Sequence, residues 1–307
     1  MKLLSGIFLV LLACCLLAGC GSKHEAAVPP TAPFPDTQAP LSVVDDTGAS
    51  VPIPAKAERI ISLAPSCTEL LYALGLADQI IAVSESSDYP PEAKEKAQLG
   101  VINLNYEQIV SLKPDLIVGI NSLQPTGIAH LRKLGLPVLA LEPSKFEDVV
   151  GNIGTLGIAT GKGEEAEMLT REMLGVIEAV RKQAKPMDLK VFVEISMEPL
   201  YAAAADTFVG QMLTDCGAKN AVPAEYKGFA ALSEEALLAG EPDLIITTSP
   251  EAQQLLATSK WRQLKAVKAG KVKAVSPDLL LRPGPRLGEG LKVHFNLVQG
   301  RELELEG

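Results

Sequence analysis

Leu104–Ile117 (LNYEQIVSLKPDLI) and Leu232–Ile245 (LSEEALLAGEPDLI) lie over one another without a gap, at a constant offset of 128 residues. In each copy a polar cap residue, Asn105 or Ser233, opens a helix of about two turns. Pro114-Asp115 or Pro242-Asp243 then ends it, because proline neither continues a helix nor lets the residue before it stay helical. An apolar run follows as a strand, Leu116–Ile120 in one copy and Leu244–Thr247 in the other. A helix–strand unit repeated at one fixed spacing predicts two related α/β lobes.

Further apolar runs extend the pattern on both sides: Ile60–Leu63, Ile80–Val83, Val138–Leu141, Val191–Ile195 and Val272–Val275. Several are near-continuous β-branched stretches, as expected for parallel strands covered on both faces. Leu41–Pro54 (LSVVDDTGASVPIP) reads as two short strands around a turn. Ser66-Cys67-Thr68-Glu69 has the spacing of a capping box, followed by Leu70, Leu71 and Leu74 and closed by Gly75. Asp206 is placed to cap a helix through Met212 and Leu213 that stops at Gly217.

Glu164–Lys185 is the longest helical pattern, with Ala166, Leu169, Met173, Val176, Ile177 and Val180 on one stripe. Its 22 residues span about 33 Å, long enough to bridge two lobes. The expected organisation is a lobe over residues 41–160, a connecting helix over 161–185 and a second lobe over 186–307.

The amino terminus is read as an address. Lys2 precedes the apolar run Ile7–Gly19, whose 13 residues cover about 20 Å, short of a bilayer core of roughly 30 Å. That is signal-peptide length. Leu17-Ala18-Gly19-Cys20 resembles the lipobox of bacterial lipoproteins, which implies cleavage after residue 19 and a lipid on Cys20. The alternative is a plain secretory signal with an incidental cysteine. Residues 20–40, with five prolines and small polar side chains, read as a tether in which His24 is inert.

Charge and composition exclude several classes. Asp and Glu number 37 against 28 Lys and Arg, a net charge of −9, so the chain has no footprint for nucleic acid. With 47% hydrophobic and 21% charged residues it is neither disordered nor polytopic. His130 and His294 stand alone in helical stretches and read as surface or packed residues rather than metal ligands. Cys67 and Cys216 read as free thiols. Phosphate loops, GxSxG and nucleotide fingerprints are lacking, which leaves Cys67 at a helix start, with a lowered pKa, as the one enzymatic alternative.

The chain resembles the substrate-binding proteins of bacterial ABC importers for ferric siderophores, haem and cobalamin. The resemblance rests on the DDTG hairpin, Arg59-Ile60-Ile61-Ser62-Leu63-Ala64-Pro65 with Thr68-Glu69 and Ala73-Leu74-Gly75, the paired PDLI strands, and Leu213-Thr214-Asp215-Cys216-Gly217. Ser87–Ala93 (SDYPPEA), Cys216–Asn220 (CGAKN) and Arg282 with Pro285-Arg286 place it nearest the cobalamin-binding branch.

That resemblance implies two parallel-sheet α/β lobes joined by one long helix, of the class III binding-protein type, with a small-molecule ligand in the cleft. It further implies a monomer outside the cytoplasmic membrane, no cofactor and no resident metal, and an ABC permease dimer with its ATPase subunits as partner. By matching position the ligand-lining candidates are Ser86, Val101, Ile120, Tyr201, Phe229 and Arg282. Tyr201 and Phe229 would stack on a large planar ligand and Arg282 would bond its amide oxygens or an acidic group; the alternative for the two aromatics is ordinary packing. Cobalamin binders tend to carry aromatics where this chain has Ser86, Val101 and Ile120, which keeps haem and ferric siderophores open as ligands. Glu107 and Glu235 are equivalent in the repeat, and the resemblance implies that each docks one lobe on a permease subunit. A carboxylate on a helix's first turn is also what the backbone dipole favours by itself.

Overall fold

Both copies of the repeat fold with the same local devices. Asn105 Oδ1 accepts the Gln108 N–H at 3.0 Å, and Ser233 Oγ accepts the Ala236 N–H at 3.2 Å. The residue before each proline is left-handed, Lys113 at φ 48° and Glu241 at φ 46°, and among the described residues no other non-glycine has positive φ. Asp115 accepts the backbone N–H groups of Glu58 and Arg59 at 2.9 and 3.0 Å, and Asp243 accepts that of Lys190 at 3.1 Å. In both copies the carboxylate of Pro-Asp therefore clamps the start of the neighbouring strand.

The computed structural model describes residues 41–305, apart from 55, 250, 252–253, 255 and 257–259. The expected signal peptide, Cys20 and the tether with His24 lie outside the described residues. Strands β1 (Leu41–Val44) and β2 (Ser50–Ile53) form an antiparallel hairpin. Asp45 ties it down by accepting from Thr47, Ala49 and Ala140 and by pairing with Arg132.

The first sheet contains β3 (Ile60–Ser62), β4 (Ile80–Ser84), β5 (Ala97–Leu99), β6 (Leu116–Ile120) and β7 (Val138–Leu141), all parallel in the order β5-β4-β3-β6-β7. Helices α1 (Pro65–Ala73), α2 (Tyr106–Ser111) and α3 (Pro125–Lys133) connect its strands. Then come α4 (Phe146–Thr160) and the long α5 (Gly163–Gln183), packed on one another.

The second sheet repeats the centre of the first. β8 (Lys190–Met197), β12 (Leu244–Thr247) and β13 (Val272–Ala274) are parallel neighbours, as β3, β6 and β7 are. On the other side of β8 the place held by β4 in the first sheet is divided. The short β10 (Lys219–Asn220) runs parallel to its start, and β9 (Leu200–Ala203) folds back antiparallel along its end. β11 (Phe229–Ala231) adds to β9, again antiparallel. The sheet is thus mixed at this edge. Helices α6 (Phe208–Asp215), α7 (Glu234–Gly240), α8 (Lys265–Lys268), α9 (Pro277–Leu281) and α10 (Leu287–Gln299) complete it.

Each sheet is buried on both faces. Ile61, Ile117 and Ala140 pack with Leu104, Ile109 and Ile128 on one side of the first sheet; Phe192 and Ile245 pack with Leu237 and Trp261 on one side of the second. The remaining faces share a single core through the α5 stripe, in which Met173, Val176, Ile177 and Val180 join Ile60 and Val118 to Val191, Ile246 and Phe295.

Two expected helix caps are corrected. α1 is capped at Ala64 with no side-chain bond, because Pro65 takes the first helical position that its fixed φ suits. Ser66 is therefore inside the helix, no capping box forms, and Glu69 is released for another role. Thr207, not Asp206, caps α6, its hydroxyl accepting the Gly210 N–H at 3.0 Å, while Asp206 accepts from Gly228.

Candidate functional site

The loops leaving the carboxyl ends of parallel strands are where α/β sheets take ligands. In the first sheet a chain of hydroxyls fixes these ends. Ser62 Oγ, Thr68 Oγ1, Ser87 Oγ and Ser84 Oγ follow one another at 2.8 Å, all buried. Gln124 donates from Nε2 to the carbonyls of Leu63 (3.0 Å) and Val101 (2.6 Å), so the loops after β3 and β5 are held to the start of α3.

Of the expected ligand-lining residues, Ser86 is exposed and Val101 half-buried on this edge. Ile120 is only 4% exposed and its side chain belongs to the core, which corrects its expected place on an open wall. Apolar surface does appear there, from residues the sequence reading passed over: Ile102 is 86% and Leu123 57% exposed.

On the second sheet Tyr201 and Phe229 are both substantially exposed. The register pairs Phe229 with Ala203 and Ala231 with Tyr201, which puts both rings on one face of the β9–β11 ribbon as diagonal neighbours. Phe229 also meets the buried Phe208 edge-on, centroids 5.8 Å apart. Packing thus holds one side of Phe229 and leaves the other open.

Arg282 is not a free guanidinium. Its Nη1 donates to Glu69 Oε1 (3.0 Å) and Asp88 Oδ1 (2.7 Å), and Nη2 lies 3.0 Å from Asp278 Oδ1. Arg286 grips Glu69 with two bonds, Nε to Oε2 at 2.9 Å and Nη2 to Oε1 at 2.7 Å, and stacks 4.0 Å over the Tyr89 ring. Glu69, expected as a cap partner, is instead the buried centre of this cluster. The Arg282 hydrogen bond and charge hold the Asp88 carboxyl below its usual range. The i, i+4 spacing of Asp278 and Arg282 was a legible signal for part of this cluster.

Glu194 was also missed. It sits near the carboxyl end of β8, 1% exposed; Oε2 accepts the Thr247 hydroxyl and Oε1 has no partner. Burial pushes its pKa up, opposed only by the Thr247 bond.

The enzymatic alternative fails at its nucleophile. Cys67 is fully buried inside α1, and burial pushes its thiol up to about 12 rather than down. Cys216 is buried and shifted upward for the same reason, and both thiols are free. His130 is exposed and its ring lies 4.3 Å from that of Tyr106, tilted by 43°; His294 is buried, with Nδ1 2.8 Å from the Gly290 carbonyl. Among the described residues no three His, Cys, Asp or Glu side chains converge as a metal site, and no helix is long and apolar enough to cross a membrane.

Glu107 and Glu235 are exposed on the first turns of α2 and α7. A depression of about 630 Å³ lined by Lys190, Asp243, Lys265 and Lys268 lies at the opposite, amino edge of the second sheet. There the Lys265–Asp243 pair serves the strand start.

Two sheets with parallel cores on one connecting helix, with their carboxyl edges turned to a shared ionic cluster, have the architecture of a bilobed binding protein. The chain belongs to the periplasmic binding protein family, which matches residues 60–279. It is 35% identical to an uncharacterized ABC transporter substrate-binding lipoprotein of Bacillus subtilis, over 95% of this chain and 96% of that one. It is 32% identical to a vitamin B12-binding protein of Vibrio cholerae over 76% of this chain and 86% of the relative. Among solved structures it is similar to the periplasmic vitamin B12 binding protein of Vibrio cholerae, with TM-score 0.72 and 30% identity over 79% of this chain and 97% of that one. A periplasmic haem-binding protein from Roseiflexus aligns with TM-score 0.70 and 26% identity over 79% of this chain and all of the other.

Proposed function

We propose that this chain is the substrate-binding component of an ABC importer, lipid-anchored at Cys20 outside the cytoplasmic membrane. It captures a corrinoid between the carboxyl edges of its two sheets. It then delivers the ligand to a permease dimer, with Glu107 meeting one subunit and Glu235 the other. The observation that carries this reading is the exposed pair Tyr201 and Phe229 on one face of the β9–β11 ribbon, a platform for a large planar ligand in a chain only 4% aromatic. Similarity to vitamin B12-binding proteins supports the corrinoid.

A second reading, haem or a ferric siderophore, is favoured by one feature. The opposing edge offers mainly aliphatic surface, Ile102 and Leu123, and its exposed ring, Tyr89, is covered on one face by Arg286. Calorimetric titration of the body from about Pro40 with cyanocobalamin, haem and a ferric siderophore separates the two. Saturable one-to-one binding of cyanocobalamin, tighter than micromolar, is the expected result. Silence with cyanocobalamin and clean binding of another compound would leave the transport role and replace the ligand.

A further inference from the structure

Five ionic side chains meet at one end of the candidate site. They come from both sheets: Glu69 follows β3, Asp88 follows β4, and Asp278, Arg282 and Arg286 follow β13. Gly284, between the two arginines, lies against the first turn of α1, where an added Cβ would touch Ser66 at about 3.5 Å. The RPGPR loop is therefore seated on the first lobe by backbone contact as well as by charge.

The charges do not cancel. Three carboxylates face two guanidinium groups, leaving one negative charge in excess; Lys94, the further cation acting on Asp88, is exposed. The order of burial decides which sign a ligand meets. Glu69 is wholly buried and the arginine side chains are 15–16% exposed, whereas Asp278 is 29% and Asp88 45% exposed. Within the cluster the cations are paired and little exposed, and the groups that solvent reaches most are carboxylates.

We infer that this cluster selects a ligand whose rim carries neutral hydrogen-bond donors such as amides, and rejects the same core carrying carboxylates. An amide N–H donates to the spare lone pairs of Asp88 and Asp278 without breaking any bond in the cluster. An incoming carboxylate must instead displace one of them from Arg282 or sit beside an unanswered like charge, a repulsion that gives specificity against the wrong partner. Glu69 acts as a positioning residue by holding both guanidinium groups below the surface. The inference rests on the ligand site proposed above.

The test uses two matched pairs of probes: dicyanocobinamide against dicyanocobyrinic acid, and haem with its propionates capped as amides against haem itself. Each is titrated into the intact body, native and Asp88→Asn. The native protein is expected to favour the amide form of whichever core it binds by roughly tenfold at low salt. Asp88→Asn removes the excess charge and should narrow that ratio several-fold through a gain by the carboxylate form, with the melting transition retained. A merely structural role for Asp88 would weaken both forms alike. Equal binding, a preference for the carboxylate form, or a ratio that Asp88→Asn leaves unchanged would overturn the inference. Binding of the haem pair alone would overturn the corrinoid reading while the ratio still decides the charge rule. Binding of neither core would overturn both.

Discussion

Glu194 shows how a single side chain can carry a pH signature through a whole lobe. Its carboxyl is buried with one oxygen unpaired, and desolvation raises its pKa above the ordinary 4.5. The native state then keeps a proton that the unfolded chain releases. The stability tied to this proton is complete below about pH 4.5 and declines as pH rises through the folded-state pKa. Glu194→Gln retains the shape and the oxygen that accepts from Thr247, and removes the charge. We expect the urea midpoint of the native protein to fall as pH rises above about 4.5, and that of the variant to stay level. Parallel curves would mean that Glu194 is ionised and answered within the fold. The residue was illegible beforehand because an isolated glutamate in a strand sequence reads as solvent-facing, and only the closure of β9 over the end of β8 removes it from water.

At the scale of elements, legibility followed local pattern. Leu116–Ile120, Val138–Leu141 and Leu244–Thr247 are read to the residue because they are continuous apolar runs with turn signals at both ends. The strands AQL (β5) and KN (β10) carry no such run, and LYAA (β9) and FAA (β11) are short alanine-rich runs without a β-branched residue; all four are strands because a neighbour offers an edge. The capping-box motif misled for a similar reason. Ser-x-x-Glu is a local signal, whereas the partners of Glu69 lie 213 and 217 residues away.

The repeat itself makes a sharper claim. Lys113 and Glu241 occupy left-handed backbone before proline, a conformation costing an L-residue about 1 kcal/mol that glycine adopts freely. Lys113→Gly and Glu241→Gly should each raise stability by about 0.5 kcal/mol after the entropy glycine adds to the unfolded chain, with alanine at either site near neutral. Thermal melts of the four variants check this. Gains in one lobe and losses in the other would show that the two turns are no longer equivalent.

For the whole molecule the question is how two lobes act as one. The α5 stripe joins the inner faces of both sheets in one core, and the Arg282–Arg286 loop ties them again through Glu69 and Asp88. Two separated ties oppose rotation of one lobe against the other more strongly than a single connector does. The spacing between Glu107 and Glu235 is then set by the body rather than by the ligand, which suits them to a two-fold partner. Exposed charges of this kind add steering and register more than affinity. Charge reversal at both, Glu107→Lys with Glu235→Lys, should therefore abolish uptake in cells carrying the cognate permease, while each single reversal reduces it. Ligand affinity of the purified double variant should stay within about twofold of native, since both side chains are exposed on helix first turns and belong to neither the aromatic ribbon nor the ionic cluster. In reconstituted vesicles the native association rate should fall as salt rises, and the double variant should lose that dependence. An intact uptake rate in the double variant would remove both glutamates from docking. A lost ligand affinity would move them from docking to the pocket or to the fold of α2 and α7, where a first-turn carboxylate is favoured by the helix dipole.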